Sequence, residues 1–99
     1  MKNIKAEEQH QHKNGGGWVA NTAFVADSAY VGPDAQVFGD ALVLENARVL
    51  ENARVSGHAL VLGHAQVFGH ARVLGHALVS GRARVSGYAQ VSENARVYK

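Results

Sequence analysis

Four histidines, His58, His64, His70 and His76, recur six residues apart, each after a glycine and before an alanine. Imidazole changes charge near neutral pH, so a positioned histidine can serve as a general base or hold a metal ion. Interspersed with them are Arg54, Arg72, Arg82 and Arg84, and no Asp or Glu occurs between Arg54 and Gln90. Guanidinium groups in an acid-free stretch suit a phosphate, a nucleotide or an acidic protein surface. What either set can do depends on which members the backbone brings together.

The elements that carry them are one short phrase written over and over. From Ala23 to Ala95 an alanine falls at every sixth position, and from Val25 to Val97 a valine follows two residues later, without a gap. Val19 extends the valine series one step back, with Gly17 in the alanine slot. Six residues is too short for a helical repeat. Alternation of Ala and Val with variable residues predicts a short strand with one face buried, and β-branched valine fits that inner face. The Gly-His, Glu-Asn, Gly-Asp or Pro-Asp pair that follows predicts a corner, since Gly and Asn tolerate positive φ. Alanine belongs beside the corner, where a larger side chain would not clear the bend.

This unit resembles the hexapeptide repeat of the bacterial transferase superfamily, and Val31 to Val37 (VGPDAQV) is a near-perfect hexad of that family. The resemblance covers residues 17–99. It implies an all-β, left-handed parallel β-helix, three hexapeptides per triangular coil and about four and a half coils, preceded by a short polar tail over residues 1–16. The opening Gly15 to Val19 resembles that of uncharacterised acyltransferase-like members. In such enzymes a histidine near a subunit seam is the general base and coenzyme A lies along the adjoining groove; related carbonic anhydrases hold a metal with seam histidines. Trimers are the family's usual assembly, so the resemblance implies a homotrimer first and a dimer second.

If residues eighteen apart stack, the variable positions sort into three walls. One carries Phe24, Leu42, Leu44, Leu60, Leu62, Leu78 and Tyr98, an apolar strip of the size that marks an interface. The others are mixed. Arg54 and Arg72 fall on adjacent rungs of one of them, a like-charge pair that an anion would bridge. His58 and His76 share a corner column with Asp40, His64 stands on the opposite border of the leucine wall, and His70 stands on the far corner. A seam through the leucine wall would be rimmed by His58, His64 and His76, the catalytic candidates if the chain is an acyltransferase. The plainer reading makes them exposed turn residues, interchangeable with Asn and Asp. The hexads contain no loop insertion to wall a substrate pocket, which weighs against the enzyme. His10 and His12 read as solvated tail residues.

Composition excludes further classes. The 99 residues include no cysteine, so neither a disulfide framework nor a thiolate metal site is available. No apolar run approaches the length of a membrane span, and residues 1–16 lack the pattern of a secretory signal. A cytoplasmic location is therefore expected. A net charge of +2 and scattered aromatics argue against long nucleic acid as a partner. The leading expectation is a non-catalytic structural or interaction solenoid with no cofactor. It would self-associate through its apolar wall and present Arg54, Arg72, Arg82 and Arg84 to an anionic small molecule or acidic protein surface. The alternatives are a minimal acyltransferase using acyl-CoA and an oligomer that holds a small anionic or nucleotide ligand between subunits.

Overall fold

The computed structural model describes residues 9–98; residues 1–8 of the expected tail and Lys99 lie outside the described residues. Among the described residues there is no helix, and the chain winds as a β-solenoid of parallel stacked coils. Each hexad contributes one short strand to one of three walls. The first wall is built from β2 (Trp18–Ala20), β5 (Gln36–Val37), β8 (Arg54–Val55), β11 (Arg72–Val73) and β14 (Gln90–Val91). The second, the leucine wall, comprises β3 (Phe24–Val25), β6 (Leu42–Val43), β9 (Leu60–Val61), β12 (Leu78–Ser80) and β15 (Arg96–Tyr98). The third comprises β4 (Tyr30–Val31), β7 (Arg48–Val49), β10 (Gln66–Val67) and β13 (Arg84–Val85). Leu42 pairs with Leu60, Arg54 with Arg72 and Gln66 with Arg84, so each coil takes eighteen residues and the expected columns form.

The interior is made of the two repeated residues. Val31, Val37, Val43 and every sixth residue on to Val73 are fully shielded, as are the alanines from Ala29 to Ala71. Each valine stacks on the valine of the next coil, as Val43, Val61 and Val79 do. Burying each one stabilises by roughly 1.5–3 kcal/mol, and repetition of this small contribution holds a narrow rod together. Alanine sits at the bend, where its N–H closes the corner onto the residue three back, as in Ala65 N–H to Leu62 O at 3.3 Å.

The corners differ from the expectation in one respect. Positive φ falls on the first corner residue, on glycine in most coils but on Glu45, Glu51 and Glu93 (φ 61°, 59° and 58°) in the Glu-Asn corners, and not on the asparagine. Positive φ at the first central residue alone describes a type II′ turn, which favours glycine. At two of the three, a carboxylate bond one coil on offsets the steric cost of that conformation. Glu45 Oε1 accepts from Gly63 N–H and Glu51 Oε1 from Gly69 N–H, both at 2.8 Å. Replacing Glu45 by alanine leaves the strained φ and removes the bond, and should cost about 1–2 kcal/mol. Replacing it by glycine removes the strain along with the bond and should be near neutral. Thermal melts of the two variants check the difference, and equal losses would show that the carboxylate contributes nothing.

The first coil turns differently. Asp27 and Pro33 hold the corner slot without positive φ, as the proline ring requires. Where later coils donate a backbone N–H to the next corner, such as His58 N–H to Gly75 O at 2.7 Å, the first coil uses hydroxyls. Thr22 Oγ1 donates to Gly39 O and Ser28 Oγ to Glu45 O.

The polar segment before the repeats closes the end of the rod. Strand β1 (Gln9–Gln11) pairs antiparallel with β2, His10 opposite Val19, and covers the edge of the first wall. The chain then crosses the prism. Asn14 O accepts from Val31 N–H at 3.1 Å, Gly17 N–H donates to Val31 O at 2.9 Å, and Lys13 Nζ pairs with Asp27 Oδ2 at 3.1 Å. His12, expected in solvent, is instead buried at 6% exposure. Its Nε2–H donates to Ala29 O at 2.8 Å, which satisfies a polar atom placed over the apolar axis. His10 remains at the surface, its Nδ1–H donating to Asn21 Oδ1 at 2.7 Å. An uncovered strand edge invites pairing with another chain, and this cap removes that edge from the first wall.

Candidate functional site

Three surface features carry side chains that could do something. The first is the leucine wall. Phe24, Leu42, Leu60 and Leu78 lie on successive rungs in parallel register. Phe24 and Leu42 are 56% and 39% exposed, while Leu44, Leu60, Leu62 and Leu78 are half-buried by their neighbours. Tyr98, next to Ser80 at the end of the wall, is exposed. Among the described residues the cap follows the first wall, where β1 pairs with β2, and meets the leucine wall only beside Phe24.

The second feature is the histidines. His58 and His76 stack ring on ring, centroids 5.0 Å apart and planes within 4°. They stand at the corner leading into the leucine wall, since they directly precede Ala59–Leu60 and Ala77–Leu78. Asp40 Oδ2 approaches His58 Nε2 at 3.9 Å, too long for a hydrogen bond, and both side chains are 61% exposed. His64 stands on the opposite border of the wall, at the corner into β10. A general base needs an oriented imidazole, and among the described residues neither column supplies a hydrogen-bonded orienting partner. Among the described residues no group of three or more His, Cys, Asp or Glu side chains is placed to hold a metal ion.

The third feature is the arginines, which the coil separates into two places. Arg82 and Arg84, with Tyr98 and Val97, border an open recess of about 450 Å³. Arg54 and Arg72 lie on the first wall, on adjacent rungs. They face a groove of about 540 Å³ whose other lining residues are Asn52, His70, Tyr88 and Gln90. His70 and Tyr88 stack with centroids 5.0 Å apart and planes within 5°. The groove thus takes one corner residue and one wall residue from each of three consecutive coils: Asn52 and Arg54, His70 and Arg72, Tyr88 and Gln90. The sequence places the first of each pair in one column and the second in another. That the two columns border a common groove depends on how the corner turns its side chain toward the wall, which the repeat alone does not specify.

The repeat geometry has a counterpart among known families. The family model described as YdcK Beta solenoid repeat matches residues 65–81 and, overlapping, residues 77–93. The chain is a β-solenoid repeat protein. The two matched segments begin twelve residues apart, two hexads, in phase with the strand spacing. They include His70, Arg72, Tyr88 and Gln90 of the groove, and Leu78 of the leucine wall. No curated protein and no solved structure matches the chain. The match supports the β-solenoid; it does not extend to the transferase superfamily or to the acyltransferase activity that the hexad resemblance implies.

Proposed function

We propose that this protein is a non-catalytic structural module, a rigid β-solenoid that self-associates through its leucine wall into a homotrimer. The observation that carries this reading is the wall itself. A single rod leaves Phe24 56% and Leu42 39% exposed and half-buries Leu44, Leu60, Leu62 and Leu78, while β1 of the cap pairs along a different wall. Contiguous apolar strips of several hundred Å² on a soluble surface mark interaction sites. Self-association is the simplest way to bury it: two such walls face to face would make a twofold dimer, whereas the trimer that the hexad resemblance favours sets the leucine wall of one copy against a different face of the next. The other two walls interrupt their apolar side chains (Trp18, Phe38 and Leu74; Tyr30, Leu50 and Phe68) with Arg, Gln and Ser, so neither offers an unbroken strip. Regular corners without insertions favour stiffness over a pocket for chemistry.

The test is solution mass by light scattering. The native protein should have the mass of three protomers. Leu60→Glu combined with Leu62→Lys puts opposite charges on the wall, points no side chain into the interior, and should yield a folded monomer with an unchanged far-UV spectrum. A native dimer would change the symmetry only. A native monomer, or a double variant that keeps the native mass, would overturn the interface.

A further inference from the structure

We infer that the face receiving the leucine wall is the first wall of a neighbouring copy, at the strip formed by Phe38 and Leu74, so that the corner carrying Asp40, His58 and His76 stands on the axis of the trimer. This inference rests on self-association as proposed above and assigns the second face that completes it. Three parallel prisms around a threefold axis each turn one corner to the axis, and the two walls that meet there touch the two neighbours. The leucine wall borders two corners. One joins it to the first wall and carries Asp40, His58 and His76; Ala59 N–H to Ser56 O closes one such turn at 3.3 Å. The other joins it to the third wall and carries Asn46, His64 and Arg82. Only one of the two can face the axis.

Charge and side-chain character separate them. Turning the second corner inward would bring Arg48, Arg82 and Arg84 of all three copies toward one line, because Arg48 and Arg84 are the outward residues of the strands that follow this corner. All three are exposed. The carboxylates beside that corner are engaged, Glu45 with Gly63 N–H at 2.8 Å and Asp27 with Lys13 at 3.1 Å. Like charges gathered in a desolvated seam oppose assembly. The first corner carries no arginine or lysine. Its column sets Asp40 Oδ2 3.9 Å from His58 Nε2 and stacks His58 on His76 at 5.0 Å. Beside it the first wall ends, coil by coil, in Phe38, Ser56 and Leu74, all uncharged and half-buried. Each precedes an outward leucine of the same coil by four residues: Leu42, Leu60 and Leu78. In a parallel trimer those leucines of one copy therefore come level with Phe38, Ser56 and Leu74 of the next. Arg54 and Arg72 lie two residues farther from the corner, toward the outer rim of the contact.

Cysteine placement reads the corner directly, since the chain has no cysteine of its own. His58→Cys, His64→Cys and His70→Cys occupy the same slot of successive hexads, one at each corner of the prism, and all three side chains are exposed. Treated with a short bismaleimide, His58→Cys should convert most of the protein to a covalent two-copy species on a denaturing gel, while the other two variants stay single-copy. Adding Leu60→Glu and Leu62→Lys to His58→Cys should abolish the link. Leu74→Glu should lower the solution mass from three protomers to one. Leu50→Glu, the matching position on the third wall, should leave it unchanged, and both should keep the native far-UV spectrum. Linking of His64→Cys in place of His58→Cys, or loss of the trimer in Leu50→Glu but not in Leu74→Glu, would put the other corner on the axis and overturn the assignment. A native trimer in which none of the three cysteines links would overturn it too. A native dimer would overturn the assignment and leave self-association standing, whereas a native monomer would overturn both.

Discussion

Val61→Asp is expected to abolish folding. Val61 is completely buried, midway along the axis, stacked between Val43 and Val79. The interior offers a carboxylate only alanine and valine side chains, and the strand N–H and C=O groups around it are already paired along the ladders. An unpaired charge in such a place costs several kcal/mol. A chain of this size has about 5–15 kcal/mol in all. Because each coil is the template for the next, the damage is not confined to one corner. Far-UV circular dichroism should show a disordered chain at room temperature. Val61→Ala is the control: it removes two methyl groups without adding charge, should cost about 1–3 kcal/mol, and should melt cooperatively at a lower temperature. An aspartate variant that melts with the native protein would mean the valine column does not form the axis.

The second large effect is expected from a single methyl group at the cap. Gly17 occupies the slot that alanine fills in every later hexad, and the structure explains the exception. A Cβ there would lie 2.2 Å from the carbonyl oxygen of Gly32 and 2.4 Å from Cγ1 of Val31. The first contact is with backbone, so no rotamer change relieves it. Gly17 also anchors the crossing at both ends: its N–H donates to Val31 O at 2.9 Å and its carbonyl accepts from His12 N–H at 2.7 Å. Gly17→Ala must therefore shift the crossing segment, unseat His12 from Ala29 O and loosen β1 from β2. Overpacking of this kind costs about 1–3 kcal/mol. Hydrogen exchange gives the sharper readout. The amides of β1, β2 and Val31 should lose protection in the variant, while those of β8 to β11, two coils away, keep it. Unchanged protection at β1 would mean the segment closes the rod without relying on that close approach.

Legibility followed periodicity. The Ala and Val positions named the whole interior, and every one of them from Ala29 to Val79 is buried. The columns Leu42–Leu60–Leu78 and Arg54–Arg72 stand where eighteen-residue stacking puts them. His12 was illegible because nothing in a polar, aperiodic stretch says that it crosses an apolar axis. The glutamates at positive φ were illegible for a different reason. Residue preference points to asparagine, and the donors one coil on that offset the cost at Glu45 and Glu51 lie eighteen residues away. The groove was half legible: its two columns were each apparent, but not their meeting.

The amino-acid sequence alone thus determined the strand-and-corner unit, the valine and alanine lining and the order of side chains along the rod. Those properties are local and repeat every six residues, so each hexad states them again. The number of hexads in a circuit came from resemblance to a known repeat and from the paired strands, not from the spacing. Tertiary structure alone decided how residues 9–17 use their polar groups, which backbone atoms receive the corner carboxylates, and that Asn52, His70 and Tyr88 share a groove with Arg54, Arg72 and Gln90. Each of these depends on contacts between segments that occur once or lie a full coil apart, and no pattern within a hexad encodes the distance between them.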